Sequence, residues 1–161
     1  MNQAPQNSWA IVATFVLSFM LVILPLPSWA IPWRPEWTTL VLIYWCMALP
    51  QRVGVVSGWS VGLIQDVLTG TLLGQQALSL AITAYFISQI HLRLRIYPIY
   101  QQMIVIFFVI LISDLPNLWV RGLQGHPPQD FEFIYPVLTS FLLWPWVFTG
   151  LRMWRRNLQI S

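Results

Sequence analysis

The chain contains no lysine and one cysteine, and only 8% of its 161 residues are charged. Ordinary soluble domains carry about 25% charged residues, so a surface facing water on all sides is excluded. All basic residues are arginine, eight in number against five acids, for a formal charge of +3. They are scattered, and nucleic acid, whose recognition needs a clustered basic face, is excluded as a partner. Cys46 lies inside an apolar run. With no second cysteine it can form no intrachain disulfide and no cysteine-rich metal site, and it reads as a small packing residue. What the chain has instead is apolar surface: 57% of residues are hydrophobic, 15% are aromatic, and mean hydropathy is +0.66. The bilayer is its solvent.

At about 20 residues per membrane-spanning helix, the length allows six or seven spans and leaves no room for an extramembrane catalytic domain. Apolar runs cover 9–26, 37–49, 53–74, 77–92, 99–120 and 133–151, separated by proline, glycine and polar residues. The expected fold is an all-α polytopic bundle of six transmembrane helices, with 1–161 as a single integral membrane domain. The short 37–49 run requires a tilted or locally thinned span. The first run resembles a secretory signal only at Ser28-Trp29-Ala30. No basic residue precedes it and it exceeds the usual apolar core of about 7–15 residues, so it is expected to be retained.

Arginine placement orients the bundle through the positive-inside rule. With six helices and a cytoplasmic N-terminus, Arg52, Arg93, Arg95, Arg152, Arg155 and Arg156 fall inside, and Arg34 and Arg121 outside. Five helices with an outside N-terminus balance equally well if 53–74 dips in without crossing. The C-terminus is cytoplasmic on either count. Tryptophans near the run ends suit the headgroup level.

The most patterned segment is Arg52 to Gly74, where Gly54, Gly58, Gly62, Asp66, Gly70 and Gly74 recur at every fourth position. Glycines so spaced on one helix clear a face for another helix to approach at backbone distance. Internal packing is the favoured use, and a seat for a partner helix or a small ligand is the other. Asp66 and Asp114 are the acids inside apolar runs, each costing about 2.5–3.5 kcal/mol near a bilayer centre on insertion scales. At about 1.5 Å per residue they sit ~20 and ~24 Å along their helices, both in the outer half. They could share a proton, bond Ser or Tyr hydroxyls, or meet Arg34 or Arg121. Pro116 also suggests that the helix ends near Asp114. Asp66 is expected to make a buried structural hydrogen bond, with Asp66→Asn mild.

An aspartyl dyad would need like charges held together, and no motif supports one. No HExxH, serine nucleophile elbow or phosphate-cradling loop is present. His91 and His126 read as polar residues at a helix end and in a loop. Neither metal nor cofactor is expected, and the chain is not expected to be an enzyme.

Arg34-Pro35-Glu36-Trp37, Tyr44-Trp45, Ala48 to Val53, Gly58 to Gly62 to Asp66, Gly70 with Leu73-Gly74, Ala84-Tyr85, Gln101-Gln102 and Leu143 to Trp146 span the chain in order. This ordered set resembles the MreD rod-shape-determining family of the bacterial inner membrane, in its gammaproteobacterial form. The resemblance implies a non-enzymatic scaffold of the cell-elongation complex, with MreC as direct partner and MreB, RodA and a penicillin-binding transpeptidase reached through the complex. Arg34 and Arg52 are loop candidates for such contacts. Family analogy also suggests a fold similar to the substrate-binding subunits of energy-coupling-factor transporters. The competing function is accordingly a small-molecule-binding transporter subunit with its ligand beside Asp66.

Overall fold

A computed structural model describes residues 8–51, 53–70, 72–125 and 133–157. Among them the protein is all-helical: α1 (Ser8–Ile23), α2 (Trp37–Ala48), α3 (Val55–Thr69), α4 (Gln75–Ile96), α5 (Ile99–Ser113), α6 (Leu115–Leu123) and α7 (Ile134–Asn157), with a 3₁₀ turn at Ile31–Trp33. α5 and α6 are halves of one rod, Ile99–Leu123, so the architecture is a membrane bundle of six helices. Three of these, Gln75–Ile96, Ile99–Leu123 and Ile134–Asn157, are long and apolar enough to cross a bilayer by themselves.

α2 is the central helix. Its ten residues from Thr38 to Met47 are all buried, the pattern of a helix surrounded by others. At ~18 Å by rise per residue it is short for a bilayer core, and neighbours cover it on every side. Trp45 donates from Nε1 to Thr14 Oγ1 of α1 at 2.9 Å. Tyr44 meets Phe148 of α7 edge to face, with ring centroids 5.7 Å apart. Exposed Leu17, Val56, Val67, Phe108 and Trp119 cover the outer faces, as expected where the surrounding solvent is hydrocarbon.

Several boundaries depart from the apolar runs for identifiable reasons. α1 stops at Ile23, just before Pro25 and Pro27, which cannot donate backbone bonds. α3 ends at Thr69, because Gly70 (φ 70°) and Gly74 (φ 99°) adopt left-handed backbone that terminates one helix and opens the next. The 53–74 run is therefore a helix plus a turn. α3 runs antiparallel to α4, as the contacts of Gly58 with Leu80 and Ala84, and of Gly62 with Ala77, require. It packs along α4 as a member of the bundle. α4 gains Gln75 and Gln76 at one end and continues to Ile96 at the other. Pro116 does not end the fifth rod: it occupies the first turn of α6, where its missing N–H costs nothing, and Leu118 N–H still reaches the Asp114 carbonyl at 3.2 Å.

Candidate functional site

The polar and charged side chains inside the bundle act mainly on helix ends. Every helix leaves unpaired N–H groups at its start and unpaired carbonyls at its finish, and these are costly away from water. Asp66, 1% exposed on the last turn of α3, accepts from Gly74 N–H (2.8 Å) and Ala77 N–H (3.4 Å) on Oδ2 and from Gln76 N–H (2.9 Å) on Oδ1. A carboxylate is thus set at the positive end of α4. Arg34 donates to the carbonyls of Val22 and Leu24, closing the C-terminal end of α1. Arg95 donates from Nε to Met47 O (2.7 Å) and from a terminal nitrogen to Ala48 O (2.8 Å), closing α2. Gln102, at the start of α5, donates to Leu94 O at 2.7 Å and accepts from Trp144 Nε1 at 3.3 Å, joining α4, α5 and α7.

The ridge divides by position. α3 buries only Gly58, Gly62 and Asp66. A Cβ on Gly58 would lie 2.8 Å from Leu80 O, and one on Gly62 would lie 2.3 Å from Ala77 Cα and 2.6 Å from Ala77 N. Two glycines thus hold α3 against the α4 backbone. Gly54, Gly70 and Gly74 have open space where a Cβ would stand. Gly54 precedes α3 and the other two form its terminating turn, so no helix of this chain packs against these three. The place beside Asp66 and the ridge, proposed from sequence as a ligand seat, is occupied by α4 itself.

Asp114 lies at the same end as Asp66 but in a separate cluster. Its Oδ1 accepts from Ser79 Oγ and Asn117 Nδ2, each at 3.4 Å. Half-buried Glu36, just before α2, stands beside it. Burial, then the charge of Asp114, push the Glu36 carboxyl well above the usual range, and hydrogen bonding to Asp114 adds to the shift. The backbone N–H of Glu36 donates to Ser140 Oγ at 3.0 Å, and Trp33 stacks on Tyr135 with centroids 4.4 Å apart, so α7 is tied to the same end. Sequence reading placed Glu36 in a motif without a role. An acid immediately before an apolar run was the available signal. Arg52 and His126 lie outside the described residues.

At the opposite end, where α2, α4 and α7 finish and α5 begins, a hollow of about 480 Å³ opens between Tyr44, Met47, Phe148, Arg95, Arg152 and Arg155. An apolar groove of about 310 Å³ runs between α1, α2 and α7, past Ala13, Ser18 and Gly150. Among the described residues no three His, Cys, Asp or Glu side chains stand together as a metal site would need.

A bundle of six helices with apolar outer faces, whose internal charges close helix ends, belongs as a class with the integral membrane proteins. Comparison with known proteins narrows the class. The family model for rod shape-determining protein MreD matches residues 4–154, and the rod shape-determining protein MreD of Haemophilus influenzae is 34% identical over 156 residues, covering 94% of each chain. The chain belongs to the MreD family of rod shape-determining proteins. No solved structure matches it, so the likeness to energy-coupling-factor subunits is without a structural relative here.

Proposed function

We propose that the protein is a non-enzymatic inner-membrane scaffold of the cell-elongation complex, binding MreC directly and helping to couple MreB, RodA and a penicillin-binding transpeptidase to side-wall peptidoglycan synthesis. The observation that carries this reading is family membership across nearly the whole chain. The polar chemistry within the bundle supports it, since Asp66, Arg34, Arg95 and Gln102 are engaged in joining helix ends. Because α4 fills the Gly58 and Gly62 face, MreC must engage an outward surface, and α3 presents one through Val55, Val56, Trp59, Ile64 and Val67.

Arg93, Arg95, Arg152, Arg155 and Arg156 fall at one end of the bundle, which under the positive-inside rule is cytoplasmic. Both termini then face the cytoplasm. The test is detergent co-purification with MreC, combined with photo-crosslinkers at Val56 and Val67 on the outer face of α3 and at Leu17 on α1. Capture of MreC with crosslinks confined to outward positions is expected. Failure to co-purify MreC while the chain remains folded would overturn the reading.

A further inference from the structure

The hollow at the arginine end has no assigned role. Arg95, Arg152 and Arg155 converge on it, and among the described residues no acidic side chain lines it. Among the described residues the acids lie away from it: Glu36 precedes α2, Asp66 is on the last turn of α3 and Asp114 follows α5. A second hollow of about 370 Å³ adjoins the first, sharing Arg95, Gln102, Phe148 and Arg152, and Ile99 at the start of α5 forms part of its wall. The positive end of the α5 dipole therefore borders the same space, a favourable setting for an anion. Arg95 is anchored through Nε and one terminal nitrogen to the Met47 and Ala48 carbonyls. It is fixed in place with a further terminal nitrogen left over.

Three like charges gathered with no carboxylate among the described lining residues repel one another, and a bound anion removes that cost. Arginine favours phosphate, because its planar fork matches two phosphate oxygens at once. Tyr44, Met47 and Phe148 give the hollow a partly apolar wall, and its position at the helix ends puts it at headgroup depth. Basic pockets between helices at this level hold anionic lipid headgroups. We propose that the hollow bounded by Arg95, Arg152 and Arg155 is a phosphate-binding site, filled by the headgroup of an anionic phospholipid. Arginine stays charged throughout the accessible pH range, so occupancy is governed by salt and lipid composition and not by pH.

The full chain reconstituted in nanodiscs of phosphatidylcholine with phosphatidylglycerol, then released for native mass spectrometry, tests this. The wild type should retain phosphatidylglycerol in preference to phosphatidylcholine. The variant Arg152→Gln with Arg155→Gln should lose that retention by about tenfold or more, since each arginine near a membrane surface contributes substantially to anionic-lipid affinity. Both positions lie on the last turns of α7, with Arg152 exposed and Arg155 half-buried. The variant should keep its helical circular dichroism, and Arg152→Lys with Arg155→Lys should recover much of the binding. Saturable uptake of inorganic phosphate, lost in the glutamine variant, without selective lipid retention would keep the site and assign it to a soluble phosphate. Equal retention of both lipids together with no phosphate uptake, or retention unchanged in the folded glutamine variant, would overturn the proposal.

Discussion

At the scale of the residue, the glycines on α3 differ in what they permit. Gly62 faces the α4 backbone, which cannot move aside as a flexible side chain would. Gly62→Ala should therefore push the helices apart and cost about 1–3 kcal/mol, the usual range for overpacking, seen as a lowered Tm in detergent and reduced accumulation. Gly54→Ala, with open space before it, should leave both unchanged. Asp66→Asn was expected to be mild from sequence, and the geometry reverses that expectation. Both carboxylate oxygens accept backbone N–H groups, whereas an amide offers one acceptor and turns an NH₂ toward a donor. A loss of about 1–3 kcal/mol follows from the orphaned N–H, read as a lower melting temperature. At Glu36 the native carboxyl holds its proton at pH values where the unfolded chain has released it, because burial and then Asp114 raise its pKa. The native state thus binds more protons, and stability falls as pH rises above the ordinary glutamate value. Glu36→Gln should abolish that loss, so that thermal melts of wild type and variant diverge from about pH 4.5 upward, with the variant the more stable.

At the scale of the element, helix ends explain more of the fold than helix propensities do. α2 is short and buried on all sides, so water cannot serve its last carbonyls, and Arg95 reaches across from α4 to do so. Arg95→Ala should fray the last turn of α2, with faster hydrogen exchange at Met47, Ala48 and Leu49 and a cost of about 1 kcal/mol, typical of a charge at a helix C-terminus. Exchange at the middle of α2 should not change. α3 and α4 form the most intimate pair, joined by a turn that needs left-handed backbone at Gly70 and Gly74 and fastened by Asp66 within that turn. The same carboxylate that looks expensive in a bilayer is the group that makes the turn affordable there.

At the scale of the whole molecule, six antiparallel helices bring the start of α1 and the finish of α7 to one end. Reporters fused at either terminus should both give a cytoplasmic signal. A periplasmic signal from the N-terminus alone would contradict the alternating arrangement. The two ends also differ in chemistry: carboxylates are tucked among α3, α4 and α6 at one, and arginines surround a hollow at the other.

Composition alone determined that this chain lives in a bilayer, because 8% charge cannot cover a water-facing surface, and apolar runs of helical length determined six helices. The four-residue spacing of Gly58, Gly62 and Asp66 marked the face on which α3 packs, since that period brings residues to one side of any helix. The same spacing includes Gly54, Gly70 and Gly74, which meet no helix of this chain, as a glycine that clears a helix face and one that turns the chain are the same letter. Which groups meet was decided by tertiary structure. Glu36 and Asp114 are far apart in sequence, as are Arg95 and Met47, and Gln102 and Trp144. Nothing in local periodicity encodes such partners: in a membrane they are selected by which helix ends the packing leaves unpaired and which charged side chains it brings within reach.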